Sequence, residues 1–246
     1  RNGAELIVAV GGDGTLNEIA RVLVGTAVTL ALVPCGSGNG LARHLGIYGS
    51  RQHVFHILAT GEPRLVDTGL ADGRPFFTAA GLGFEAEISA RFNRSASRGF
   101  LRYVAISARA FREWQAEECV ITHASGSDRV RVFTLAVANA SQYGNNARIA
   151  PGARVDDGLL DLCGVPPVTA WNALPLLGRL FTAGLAGARQ VTHRQFDRFV
   201  VERSAAGLIH TDGEVHAAGA RVEFAIRPAS LRILAPPVAA ATATPR

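Results

Sequence analysis

Two glycine turns hold the residues of this chain whose types and spacing carry the clearest chemical potential. In the first, Gly11-Gly12-Asp13-Gly14-Thr15, the missing side chains let backbone approach another group closely, and free N–H groups at a helix start favour an anion. A polyphosphate suits such a seat. Asp13 makes the turn more than punctuation, because a carboxylate inside an anion cradle repels the ligand unless it meets a metal or a ribose or acts as a base. The second turn, Gly36-Ser37-Gly38-Asn39, offers a hydroxyl and an amide between glycines. Neither turn fits G-x-G-x-x-G, so a nicotinamide dehydrogenase has little support. Asp212-Gly213, followed by Glu214, reads on its own as a hairpin turn.

The elements that must position these turns are legible around them. Ala4 to Val10 is a short, almost unbroken apolar run, as in a parallel strand covered on both faces. A helix is expected from Thr15, with a capping box Thr15-x-x-Glu18 and an apolar stripe through Leu16, Ile19, Ala20, Leu23 and Val24. Strand Val28 to Val33 and a helical stretch through Leu41, Ala42 and Leu45 repeat the unit. Right-handed crossovers between parallel strands bring both glycine turns to one carboxyl edge, so one site can be built from both. After a helix near Gln52 to Ala59 the texture changes to short strands, with a hairpin at Asp72-Gly73 between Arg64 to Leu70 and Pro75 to Ala80. Helices are expected over Glu85 to Arg94 and Gly99 to Gln115, and strands at Cys119 to His123, Val130 to Asn139, Leu159 to Val165, Gln195 to Glu202, Gly207 to His210, Val215 to Ala217, Val222 to Ile226 and Leu231 to Leu234. The reading is an α/β domain over residues 1–62, a β-sandwich over 63–235 and a flexible tail over 236–246.

Composition narrows the chemistry. All 25 cationic side chains are arginine, which excludes a Walker A lysine, the lysine of a protein-kinase ion pair and any lysine Schiff base. Net charge is +5, but the arginines are scattered among few aromatics, against a nucleic-acid surface. Cys35, Cys119 and Cys163 lack paired spacing and read as buried thiols in a reducing compartment; the seven histidines show no zinc pattern. The most apolar helical stretch, Val168 to Ala188, carries Pro175 and Arg179 and is a poor bilayer span, and no signal peptide opens the chain. A cytoplasmic location is expected. Arg91, Arg94, Arg98 and Arg102 recur at helical spacing, a basic stripe that would offer anionic phospholipid a foothold.

Five blocks in order, GGDGTLNE (Gly11 to Glu18), PCGSGNGLAR (Pro34 to Arg43), AAGLGFEAEI (Ala79 to Ile88), APGARVDDGLLDL (Ala150 to Leu162) and TDGE (Thr211 to Glu214), resemble the bacterial diacylglycerol kinase and sphingosine kinase-like lipid kinases. The resemblance implies a truncated Rossmann-like nucleotide domain, a β-sandwich domain, and a cleft between them for ATP, Mg2+ and the lipid headgroup at the inner face of the membrane. Carried over by motif, Gly11, Gly12, Asp13, Gly14, Thr15, Asn17 and Glu18 would line the ATP site with Ser37, Gly38 and Asn39. Asp212 or Glu214 would accept the proton of the lipid hydroxyl, with Asp13 beside them. A structural magnesium would take the Asp157 carboxylate and the backbone carbonyls of Arg154 and Leu159.

The chain departs from the family pattern in two places. Where many bacterial members read GTxND in the second turn, this sequence has Ser37 and Gly40, closer to the sphingosine kinase-like form. Family members also begin with a further strand and an NPxxG-type phosphate loop, which these residues do not contain, and the chain without methionine at position 1 reads as a fragment. Diacylglycerol is the first acceptor expected and a sphingoid base or ceramide the second. The rivals are an NAD kinase and a catalytically silent nucleotide- or lipid-binding protein. A homodimer is compatible with the sequence.

Overall fold

The first apolar run forms an edge strand, β1 (Leu6–Gly11), which passes into α1 (Asp13–Leu23); β2 (Thr29–Pro34) lies parallel to β1 in the register Leu6 to Thr29. The computed structural model describes residues 3–95 and 100–237. After β2 come α2 (Gly40–His44), α3 (Arg51–Thr60), β3 (Glu62–Ala71), β4 (Arg74–Phe76), β5 (Ala79–Gly83), α4 (Phe84–Asn93) and α5 (Phe100–Glu113). The remainder runs β6 (Glu117–His123), β7 (Gly126–Val132), β8 (Thr134–Ala138), β9 (Leu160–Val165), α6 (Ala170–Phe181), β10 (Thr192–Phe196), β11 (Arg198–Arg203), β12 (Gly207–Thr211), β13 (Glu214–Ala218) and β14 (Arg221–Ala235).

The strands make two sheets. The larger runs β1-β2-β14-β11-β6-β7, with β3 also paired to β14 and β4 to β3; the smaller runs β10-β9-β8-β5-β12-β13. An α/β unit is therefore followed by a β-sandwich. Strand β14, 15 residues and so about 50 Å long, serves both parts. Its first half pairs with β11, Arg232 and Ile233 pair in parallel with β2, and β3 accompanies it on the other edge. The sheet thus continues across Glu62-Pro63, where the sequence suggested a boundary, because the chain's last strand returns to the first unit. The sequence reads β14 as two strands, since Pro228 and Ala229 interrupt the pattern. Here they form an irregularity between Arg227 and Leu231, with Ala229 at φ 46°.

Three apolar clusters hold the layers together. One packs α1, α2 and α3 on the parallel strands through Leu16, Ala20, Leu30, Leu41 and Ile57. A second fills the space between the sheets with Phe76, Leu82, Leu135, Phe199 and Phe224, the last two rings stacked at 5.1 Å. Each such buried phenyl contributes about 1.5–3 kcal/mol. The third covers the outer face of the smaller sheet, where Ile149, Ala153, Leu176 and Val191 close over Ala136 and Cys163.

Several expectations need correction. The apolar run of β1 is not covered on both faces, since Leu6, Val8 and Val10 are exposed. The helix that was to begin at Thr15 starts at Asp13 with Gly12 as N-cap, so no Thr15/Glu18 capping box forms. Thr15 lies inside the first turn and packs beneath Gly11, where an added Cβ would meet its hydroxyl at 2.6 Å. The expected single strand Pro75 to Ala80 divides into β4 and β5, which belong to different sheets. Of the three cysteines, Cys35 is exposed rather than buried.

Candidate active site

The two glycine turns meet. Cys35 N–H donates to Gly11 O at 2.8 Å, and an added Cβ on Gly36 would lie 2.5 Å from Gly12 Cα, so position 36 tolerates no side chain and position 12, at 3.0 Å from Gly36 Cα, is tight. Asn39, in the left-handed region at φ 51°, closes the second turn by accepting from Gly36 N–H at 3.0 Å and donating to Gly36 O at 2.6 Å. The Asp13 carboxylate clasps one turn to the other: Oδ2 accepts from Asn39 N–H and Oδ1 from Gly40 N–H, both at 2.8 Å. Burial pushes the Asp13 carboxyl above its ordinary range and the nearby Asp212 charge adds to this, against the two backbone donors.

Asp212 reaches the same place from the far end of the chain. It sits at φ 50° in the β12–β13 turn, where Oδ2 accepts from Phe77 N–H at 2.8 Å. Its Oδ1 accepts from Thr78 N–H at 2.8 Å, from Ala79 N–H at 3.0 Å and from the Thr78 hydroxyl. These donors explain the break between β4 and β5, because amides committed to a carboxylate cannot serve a ladder. The two carboxylates are linked through Gly40 and Thr78: Gly40 N–H bonds Asp13, and an added Cβ on Gly40 would meet Thr78 Cγ2 at 3.1 Å and Tyr143 O at 2.5 Å. Asp13 and Asp212 therefore share one locus between the α/β unit and the sandwich. Glu214 turns away from it, exposed and paired to Arg21 on α1 at 2.5 Å.

The locus fits a polyphosphate. Helix α1 has no side-chain N-cap, Gly14 and Thr15 are exposed at its first turn, and an added Cβ on Gly14 would meet nothing within 4 Å. The first turn of the helix is thus open to solvent at Gly14 and Thr15, and Ser37 on the second turn is exposed as well. Glu18 is also exposed, whereas Asn17 is 7% exposed and buried against the helix's packed side. Gly38 lies against Asp13, with an added Cβ 2.6 Å from its Oδ2.

The expected magnesium position lies apart, near a second carboxylate group. Asp157 Oδ1 accepts from Leu159 N–H at 3.0 Å, and burial raises the Asp157 carboxyl with help from the Asp161 and Asp67 charges. Asp67 accepts from Gly158 N–H and Ala229 N–H at 2.8 and 2.7 Å, while Asp161 Oδ2 is buried without a hydrogen-bond partner. This concentration of negative charge suits a cation. Among the described residues, however, no three carboxylate, histidine or cysteine side chains converge on one point, so a cation at Asp157 would depend on backbone carbonyls such as those of Arg154 and Leu159.

The basic stripe is only partly in view. Arg91 is paired to Glu87 and Glu113, both at 2.7 Å, Arg94 caps α4, and Arg98 lies outside the described residues, as does the side chain of Arg102. No helix among the described residues is long and apolar enough to cross a membrane.

Several contributors have no signal in the sequence. Thr78 and the amides of Phe77 and Ala79 gain their meaning only from Asp212, more than 130 residues later. Asn139, 1% exposed, donates to Asp67 O and Phe77 O and fixes the crossing strand from below. His210, 2% exposed, pairs with Glu85 at 2.6 Å and accepts from Gly213 N–H at 3.3 Å, bracing the turn that carries Asp212.

Comparison with known proteins bears on the family and the fold. Residues 1–71 match the diacylglycerol kinase catalytic domain and residues 78–235 the YegS C-terminal NAD kinase beta sandwich-like domain. The chain is 31% identical over 235 residues to a "Probable lipid kinase YegS-like" of Pseudomonas syringae pv. tomato, covering 94% of this chain and 75% of that protein. It is 30% identical over 243 residues to an uncharacterized protein, sll0036, of Synechocystis sp., covering 95% of this chain and 55% of that protein. Among solved structures, a diacylglycerol kinase from Bacillus anthracis str. Sterne superposes with a TM-score of 0.74 at 18% identity, covering 95% of this chain and 77% of that one.

Proposed function

We propose that this chain, which belongs to the bacterial diacylglycerol kinase-like family of lipid kinases, transfers the γ-phosphoryl group of ATP to the hydroxyl of a membrane lipid, diacylglycerol first among the acceptors. The observation that carries the reading is the meeting of the uncapped α1 N-terminus and the Asp212 carboxylate at one locus, joined through Gly40 and Thr78.

The polyphosphate rests on the first N–H groups of α1, with Gly14 leaving room for it and the hydroxyls of Thr15 and Ser37 within reach of its oxygens. The acceptor hydroxyl lies against Asp212. Among the described residues Oδ2 accepts only the Phe77 amide, so a lone pair of that oxygen remains to take the hydroxyl proton as the hydroxyl oxygen attacks phosphorus in line. The four donors on the carboxylate hold it in one orientation, which is the positioning such a transfer depends on. Glu214, engaged by Arg21, joins α1 to the sandwich. Asp13 keeps the two turns together beneath the phosphates. Magnesium, when bound, supplies positive charge that offsets the phosphoryl oxygens, and Asp157 with the carbonyls of Arg154 and Leu159 would hold a structural ion.

A sphingoid base or ceramide is the second reading, favoured by the Gly36-Ser37-Gly38-Asn39 form of the second turn. The test is radiolabelled ATP offered with a mixed lipid extract, followed by identification of the labelled product. Label in phosphatidic acid supports the first reading, and label in a phosphorylated sphingoid base or ceramide supports the second. Label on NAD and on no lipid overturns both.

A further inference from the structure

Helix α6 presents an apolar face that nothing among the described residues covers. Trp171, Leu174, Leu177 and Phe181 are 88%, 66%, 54% and 43% exposed. At 100° per residue they fall within an arc of about 120°, while Leu176 turns inward against the smaller sheet. Scattered apolar residues need no explanation, but four large ones on one helical face form a patch. Charge along the chain on either side of the patch is one-sided. No aspartate or glutamate occurs between Asp161 and Asp197, and the same interval carries Arg179, Arg189 and Arg194. Arg194 is paired to Asp128. Arg189 and Arg148 are exposed, and neither is among the ion pairs of the described residues. Arg148 stands beside the last turn of α6, its N–H donating to Leu180 O at 2.6 Å.

We infer that this face of α6 is the surface on which the protein seats on an anionic lipid bilayer, the four apolar side chains entering the headgroup boundary and Arg148 and Arg189 meeting anionic headgroups. The inference rests on the lipid-kinase reading for its purpose, and on the helix for its substance. A tryptophan-led apolar stripe beside cations is what an interfacial helix needs, since apolar burial and electrostatic attraction add. The patch also joins the candidate site by a short path. Arg148 bridges Gln142 in antiparallel fashion, Tyr143 follows, and the Tyr143 carbonyl lies against Gly40. A bilayer touching α6 is therefore one tight turn of chain from the Asp13–Asp212 locus.

Vesicle flotation with phosphatidylcholine alone and with added phosphatidylglycerol tests this on the whole protein. The parent is expected to float with the anionic vesicles. Trp171→Ser combined with Leu174→Ser should lower the bound fraction about tenfold, and Arg148→Gln with Arg189→Gln should remove most of its salt dependence. All four side chains are exposed, so melting temperatures should not change. Of the two tryptophans, Trp114 donates its indole N–H to Phe133 O, so a blue shift on vesicle addition should come from Trp171 and vanish in Trp171→Ser. Unchanged flotation of the Trp171/Leu174 variant overturns the proposal. So does a parent dimer that this variant dissociates while vesicle binding persists, which would assign the face to a second copy of the chain. Assay on a monomeric short-chain diacylglycerol separates the two readings. If docking fails but the kinase reading holds, the variant keeps parental rates on vesicle and monomeric acceptors alike. If the kinase reading fails, no acceptor is labelled while α6-dependent flotation remains.

Discussion

Replacing Asp13 separates its structural role from its chemical one. The carboxylate receives two charge-assisted backbone bonds, from Asn39 and Gly40, together on the order of 3–6 kcal/mol. Its pKa is nevertheless raised, so burial and the Asp212 charge outweigh those bonds and the folded carboxyl is easier to protonate than a free one. Asparagine keeps an acceptor for one of the two amides and sets its NH2 against the other, so Asp13→Asn at pH 7 should cost about 1–3 kcal/mol, roughly half the loss expected of alanine. Alanine is different. Asp13→Ala leaves the Asn39 and Gly40 amides without an acceptor at about 1–3 kcal/mol each, a loss of roughly 2–6 kcal/mol. The pH dependence follows with a definite sign. A carboxyl whose folded pKa exceeds its unfolded value of 3.8 binds more protons in the folded state, so its contribution to stability falls as pH rises through the window above 3.8. The stability of the parent minus that of Asp13→Asn should therefore decrease across that window, then level off. Urea denaturation of the three proteins from pH 3.5 upward measures all of this, and phosphoryl transfer by Asp13→Asn should fall at least tenfold. An Asn variant as unstable as the Ala variant, or a parent-to-Asn difference flat with pH, refutes the reasoning.

Asp212→Asn should reduce kcat by about 10²–10⁴, the usual worth of a positioned acid or base, while Glu214→Gln should stay within a few-fold because its partner is the partly exposed Arg21; steady-state kinetics on one lipid acceptor compares them. Gly40→Ala drives a Cβ to 2.5 Å from Tyr143 O, and overpacking of this kind costs about 1–3 kcal/mol, read as a lower urea midpoint and a raised KM for ATP. Burial pushes the Cys119 and Cys163 thiols up to about 12, so a thiol reagent at pH 8 should label only Cys35 in the native protein and all three cysteines in urea.

The first unit was legible because its signals are local. The apolar run ending at Val10, the glycine pair and the apolar stripe of α1 lie next to one another; the structure adds that Gly12 caps the helix and Thr15 packs beneath Gly11, and it leaves one face of β1 open at Leu6, Val8 and Val10 because β1 is an edge strand. The helices over Arg51–Thr60, Phe84–Asn93 and Phe100–Glu113 follow the same rule, as does the Asp72-Gly73 hairpin with both residues at positive φ. The sandwich strands were found, but not where they change sheets. Pro75 to Ala80, Val130 to Asn139 and Gln195 to Glu202 each read as one strand and are each two, because the apolar pattern runs on while the hydrogen-bond partners switch. Their crossings fall at Phe77-Thr78, Phe133 and Asp197, and the Phe133 amide reaches Val165 O and the Asp197 carbonyl receives Ile226 N–H.

Those crossings also explain why the candidate site lies where it does. A strand leaving one sheet for the other releases amides from the ladder, and released amides in a half-buried place require acceptors. At Phe77 to Ala79 the acceptor is Asp212, whose charge acts on the Asp13 carboxylate that holds the Gly40 amide. The carboxylate is therefore fixed by the fold's own unsatisfied donors, with no cluster of polar side chains needed to orient it. For that reason TDGE taken alone looks like a hairpin: Asp212 and Gly213 do adopt positive φ in a β-turn, and the turn presents a fixed carboxylate only when the chain between residues 77 and 79 crosses behind it. Composition and spacing encode the turn, and long-range topology encodes its donors.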